Sequence, residues 1–237
     1  MTRPPARAAL FAGSFAALLA LSAPFCAPHP ARAEEADTRP LSPAQVALFE
    51  TPHLRNIASP ETLHYRFAAD GGPGGGVADR VAVHVRGINP DGSKRLSFDY
   101  LTGERRVAIP PVEHFAGNPL LMLFLEQDVK GMKERLGLST AYFRNRIRQG
   151  FVDGATVTES RVLLDGRDVP ARRITLRPFG DDPRFDRLPS VQGKTYTFVL
   201  ADEVPGMVAE ISTELPPDPA RGIPAGGERL IYAGVTP

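Results

Sequence analysis

The stretch VAVHVRGINPDGSKRLSFDY, residues 81–100, decides the fold. Val81, Val83 and Val85 alternate with Ala82, His84 and Arg86 within Asp79 to Gly87. Leu96, Phe98 and Tyr100 repeat the pattern within Lys94 to Thr102. A period of two turns one face to a core and the other to water. Between the runs, Asn89-Pro90-Asp91-Gly92 has a proline and a glycine placed for a tight turn. Closing a hairpin there sets Val83 against Phe98, Val85 against Leu96 and Val81 against Tyr100. Every apolar residue then meets an apolar partner, which fixes the register.

Working outward, Thr62 to Ala68 alternates in the same way, with Leu63, Tyr65 and Phe67 facing one side. Glu104 to Ile109 is a weaker strand candidate. Two helices are expected next. Asn118 caps the first, Pro119 starts it, and Gly137 stops it after Leu136. Leu121, Leu125, Val129, Met132 and Leu136 make its apolar stripe, and Leu120 to Leu125 is apolar all round. Ser139 caps the second, which runs to about Gly150 with Phe143 and Ile147 inward and Arg144 and Arg148 elsewhere. Strands then return at Thr156 to Leu164, Asp168 to Arg177, Lys194 to Ala201, Met207 to Leu215 and Glu228 to Ala233, with an Asp165-Gly166 turn. The segments between Gly180 and Gly193 and between Pro216 and Gly227 read as long polar loops.

Strands, a helical pair and strands again make an α+β chain. The expected architecture is a curved antiparallel sheet, a half-barrel of about 8–9 strands, wrapped around a central helical pair. It should form a single domain over residues 62–237. Residues 34–61 precede it as an N-terminal tail and a short helix, in which Ser42, Pro43 and Gln45 form a capping box. Pro52 should end that helix by Thr51.

Residues 1–33 read as a secretory leader. Arg3 and Arg7 begin it, Ala8 to Ala23 is apolar, and Ala31-Arg32-Ala33 ends it as a cleavage signal. The apolar run is shorter than the roughly 20 residues of a spanning helix. Export to the periplasm with cleavage after Ala33 is therefore expected. The leader holds three of the 28 basic residues and no acid, leaving 25 basic against 27 acidic. A near-neutral protein has no electrostatic pull toward nucleic acid. The one cysteine, Cys26, lies in the leader, so the mature chain has no thiol for disulfides, metal or nucleophilic catalysis. Nothing after the leader is apolar for long enough to span a membrane.

The strands from Tyr65 to Ile109, the helical segment Asn118 to Gly150 and the hairpin Lys194 to Leu215 together resemble the periplasmic half-barrel carriers of the LolA/LolB type. They also resemble exported bacterial proteins with the same strand–helix–strand plan. The resemblance is one of topology. It implies a half-barrel and a habit of holding acyl chains, and it assigns no residue a role.

Candidate chemistry is sparse. Gly71 to Gly76 leads into a strand rather than a helix, so it is a hairpin connection and not a phosphate loop. Pairing Tyr65 with Val83 would set His64 opposite His84, with Asp99 diagonal to the latter. Such a trio could bind zinc or copper, but Arg66 and Arg86 on the same face would repel a cation. No metal or other cofactor is assigned. Neither G-x-S-x-G nor H-E-x-x-H occurs. Glu113-His114 reads as a loop pair, with His114 a packing residue, and Asp181-Asp182 as a solvated ion cluster. An enzyme is less favoured than a binding protein.

The leading expectation is an exported non-enzymatic protein holding a lipid or lipoprotein tail between the concave sheet and the helix Pro119 to Leu136. Phe124, Leu125, Met132 and Phe143 would line the pocket. Arg144 or Arg148 would meet an anionic head group at its mouth. The alternative is an envelope-complex accessory or assembly protein with a filled core. The space beneath the helix separates the two.

Overall fold

The computed structural model describes residues 39–70 and 76–237. The expected leader, its cleavage point and most of the Gly71 to Gly76 connection lie outside the described residues. The 81–100 hairpin forms from β2 (Val77–Ile88) and β3 (Lys94–Tyr100). Its register is the expected one: Val81 opposes Tyr100, Val83 opposes Phe98 and Val85 opposes Leu96. Gly92 takes the left-handed conformation that its place in the turn demands, with φ of 83°.

The preceding strand, β1 (Glu61–Asp70), pairs with β2, but Tyr65 opposes Val81 rather than Val83. Both strands run further toward the glycine connection than their alternation suggests, and the hairpin closes two residues tighter. A slip of two leaves every side chain on its face, so the apolar pattern could not distinguish the registers. The Glu104 to Ile109 candidate is corrected as well. Residues Gly103–Arg105 make a single 3₁₀ turn, Val107 bridges to Tyr100, and the edge strand β4 is Val112–Phe115. Pro110 and Pro111 lack the amide hydrogens that would have carried a strand through.

After β4 come α2 (Leu120–Leu136) and α3 (Thr140–Asp153). The Asn118 side chain accepts the Leu120 amide at 3.1 Å, Gly137 closes α2 with φ of 72°, and Ser139 caps α3. The remaining strands are β5 (Thr156–Leu164), β6 (Arg167–Leu176), β7 (Thr195–Leu200), β8 (Val208–Leu215) and β9 (Gly226–Thr236). All nine form one antiparallel sheet in the order β4-β3-β2-β1-β9-β8-β7-β6-β5. It is curved and unclosed, since β4 and β5 end it without pairing. Irregularities at His64/Tyr65, Val85/Gly87 and Val199/Leu200 sharpen the bend.

This order gives the helices their place. The chain leaves the sheet at one edge, β4, and re-enters at the other, β5, so the connection must recross the full width. Nine strands spaced about 4.8 Å apart span roughly 40 Å. α2 alone spans about 26 Å at 1.5 Å per residue, and α3, packed against it, carries the chain on toward β5. The apolar faces of the pair are therefore drawn over the concave side. Gly150 permits the close approach of α3, since a methyl group there would meet Leu176 Cδ1 at 2.3 Å.

Leu63, Tyr65, Val81, Val83 and Tyr100 from the sheet share one core with Leu120, Phe124, Val129 and Phe143 from the helices. The N-terminal helix enters the same core. Its α-helical turn α1 (Pro43–Gln45) has the expected capping box and widens into a π-helical turn, Val46–Glu50, before Thr51. Ala44, Ala47 and Leu48 from it, and Leu54 and Ile57 beyond it, are buried there. A smaller cluster around Val169, Val199 and Val204 gathers on the β5–β8 half. Among the described residues no helix is long and apolar enough to cross a membrane.

Candidate functional site

Three places bear on function, and the first is the seam between α2 and the concave face. Phe124, Leu125, Met132 and Phe143 all lie there, in one continuous packed core, with Phe124 1% and Phe143 0% exposed. Four surface clefts among the described residues are lined by none of them. Arg144 lies on the outer side of α3 and is engaged by Glu126 of α2, with guanidinium-to-carboxylate contacts of 2.6 and 3.0 Å. That ion pair pulls the Glu126 carboxyl below its usual range. Arg148, one turn on, donates to the Asn145 side chain at 3.2 Å. The two arginines do not converge on a common point.

The second place was not anticipated. Lys194 and Asp128 form an ion pair at the heart of the molecule, with side chains 1% and 3% exposed. The Tyr196 hydroxyl donates to the other Asp128 oxygen at 2.5 Å, and the Lys194 ammonium sits 5.2 Å from the Tyr196 ring centre. Burial, reinforced by the Asp128 charge, pushes the Tyr196 hydroxyl well up. Glu228 on β9 is near enough that burial and then Asp128 raise its carboxyl as well. The signal was in the sequence. Asp128 lies three residues after Leu125 and four after Phe124, on the buried stripe, and Lys194 shares the parity of inward Tyr196. A charge at each of two core positions is a signal for a pair. This pair joins the middle of α2 to the floor of the sheet, bolting the helix down.

A related lock ties α3 to the segment after β6. Asp181-Asp182 is not a uniformly solvated cluster: Asp182 is buried, accepts a hydrogen bond from the Tyr142 hydroxyl, and lies 3.3 Å from Arg146 Nε. Burial and Asp182 together push Tyr142 up to about 12. Phe179, Phe185 and Val191 join the main core from this segment, so only its polar side faces water. Its apolar residues are too widely spaced to display a period, and it read as a loop.

The third place is the convex face. His64 does not oppose His84, because β1 and β2 pair two residues away from that register. His64 Nε2 lies 2.8 Å from the Thr236 hydroxyl. His84 Nε2 lies 2.9 Å from Asp99 Oδ2, its Nδ1 lies 3.0 Å from the Thr62 hydroxyl, and Arg106 takes the other Asp99 oxygen at 3.0 Å. The contact with His84 leads in holding the Asp99 carboxyl below its usual range. His64, His84 and Asp99 thus do not converge, and among the described residues no group of three such side chains could hold a metal. They instead border a cleft of about 600 Å³ whose lining also includes Arg66, Arg80, Arg106, Ala82, Leu101 and Thr102. His114 is exposed on β4 rather than packed in a loop, with Nδ1 3.2 Å from the Asn89 side chain.

Taken together, these features define a half-barrel α+β protein whose concave side is occupied by its own helices. No protein-family model matches the chain, and no curated relative matches it in sequence. Among solved structures it is similar to the lipoprotein LppX of Mycobacterium tuberculosis at 12% identity, over 81% of this chain and 94% of that one, with a TM-score of 0.34.

Proposed function

We propose that this chain is an exported, non-enzymatic envelope protein that works through its outer surface, in an accessory or assembly role. The observation that supports this reading is the occupied concave face. α2 buries Leu120, Leu121, Phe124, Leu125, Val129 and Met132 against the sheet and is held there by the buried Lys194–Asp128 pair. An acyl chain entering the seam would have to displace those side chains. Its gain of about 0.8 kcal/mol per methylene would be offset by the apolar helix surface newly left in water. Separating Lys194 from Asp128 would cost a further several kcal/mol.

A second reading, a lipid or lipoprotein tail held beneath α2, draws on the unclosed sheet and on the apolar start of that helix, where Met122 is 55% exposed. It requires α2 to swing out. In that state Phe124, Leu125, Met132 and Phe143 line the vacated trough. Native mass spectrometry of protein purified from its own envelope separates the readings. The first expects the mass of residues 34–237 alone, which also tests export and cleavage after Ala33. A co-purifying lipid adduct would overturn it in favour of the second.

A further inference from the structure

We infer that the cleft on the convex face of β1, β2 and β3 is a binding site for a phosphoryl group, a role that stands independently of what lies under the helices. The argument begins with strand pairing. Arg66 on β1 and Arg80 on β2 are direct cross-strand partners, so two like charges are held opposite one another. Such an arrangement is unfavourable on its own. Among the described residues neither guanidinium has a hydrogen-bond or ion-pair partner. The other basic side chains that line the cleft are engaged: Arg106 and His84 divide the two oxygens of Asp99, and His64 meets Thr236. Asp99 is the one carboxylate lining the cleft, and it is already occupied on both oxygens. Three guanidiniums therefore face one spent carboxylate, in a chain whose charges otherwise nearly cancel.

Ala82 on β2 and Ala233 on β9 line the cleft, and its volume of about 600 Å³ exceeds that of a phosphoryl group. Guanidiniums present paired N–H donors that match two oxygens of one phosphoryl group. A divalent cation would be repelled by the same groups. Arg66 and Arg80 are the primary ligands, and Arg106 can turn from Asp99 toward the anion. Because β1 and β2 lie inside the sheet, the backbone beneath the site is rigid and the spacing of the two arginines is set before any ligand arrives. A phosphoryl group can come as free inorganic phosphate or on the head group of an anionic phospholipid, and the chemistry at the site is shared.

The test uses the full mature chain, with Arg66→Ser/Arg80→Ser as the variant and Arg187→Ser, an exposed arginine elsewhere, as the control. Titration with inorganic phosphate at low ionic strength should show binding by the parent and by the control. The double variant should lose about tenfold or more in affinity. Sedimentation with phosphatidylglycerol vesicles, against phosphatidylcholine vesicles, distinguishes the sources: selective co-sedimentation identifies a head group, and phosphate binding without it identifies the free anion. Since removal of two opposed charges relieves repulsion, the double variant should melt no lower than the parent. That keeps loss of binding distinct from loss of fold. Absence of binding to both probes, or equal binding by parent and double variant, overturns the assignment.

Discussion

The two faces of the β1–β2–β3 ribbon are built from the same strands and obey opposite rules. On the concave face Leu63, Tyr65, Val81, Val83 and Tyr100 are buried, and each cross-strand partner is apolar. On the convex face the row is His64, Arg66, Arg80 and His84, with charges opposed and two of them uncompensated. The first face is explained by stability alone. The second is not, because nothing in the fold requires arginine at positions 66 and 80. What the contrast teaches is that the conformational demands of this protein are met on one side, leaving composition on the other free to answer to a ligand.

The contrast is easiest to break at its strongest point, the concave floor. Asp128→Ala leaves the Lys194 ammonium buried without a partner and should cost about 3–5 kcal/mol in urea unfolding. Replacing both residues by apolar ones of similar volume should recover most of that loss. If Asp128→Ala is nearly neutral, α2 is not bolted down and the lipid reading gains. Adjacent positions on β1 sharpen the comparison next. Leu63→Ala should cost about 2–5 kcal/mol, whereas Arg66→Ser should shift stability by no more than about 0.5 kcal/mol. Equal effects would dissolve the distinction between the faces.

Asp79 is a smaller case at the rim. Burial works against its charge, but hydrogen bonds from Thr102, the Arg80 amide and Arg105 outweigh burial and hold the carboxyl at about 2. A carboxyl lowered in the folded state stabilises above its unfolded value, and the contribution is lost as pH falls toward about 2. Asp79→Asn should therefore cost about 1–3 kcal/mol at neutral pH. The difference from the parent should shrink through the acid range of a chemical-denaturation series. Glu228 has the opposite sign. Burial, then Asp128, raises its carboxyl, so the folded state is penalised once that group must ionise. Glu228→Gln should melt above the parent at neutral pH, with the gain fading as pH is lowered through the ordinary glutamate range. A gain independent of pH would remove burial of charge as its cause.

Much of the fold was legible because local signals agreed with one another. Asn89-Pro90-Asp91-Gly92 fixed the hairpin while alternation on both flanks fixed the same register, and Gly137 and Ser139 punctuate the helices by backbone chemistry. What failed depended on long-range geometry. The Gly71 to Gly76 sequence carries no register signal, so alternation alone leaves the two histidines a pair out of step. β4 is four residues long and held at one edge, too short to show a period. Of the candidate sites, the apolar lining residues were recognisable as inward-facing. Whether inward meant cavity or core was not, because helix pattern is the same in both. The convex cleft is not legible for a related reason: Arg66 and Arg80 are 14 positions apart, and only the true strand register makes them partners.

The pairing of β1 with β9 carries one more consequence. The last of these nine strands in chain order sits in the middle of the sheet, between the β1–β4 ribbon and the β5–β8 ribbon. Until it arrives, each ribbon presents a bare hydrogen-bonding edge to the other, and neither has closed its long-range contacts. Assembly must therefore wait for β9, and a version lacking Gly226–Thr236 should fail to protect its β1 and β8 amides from hydrogen exchange.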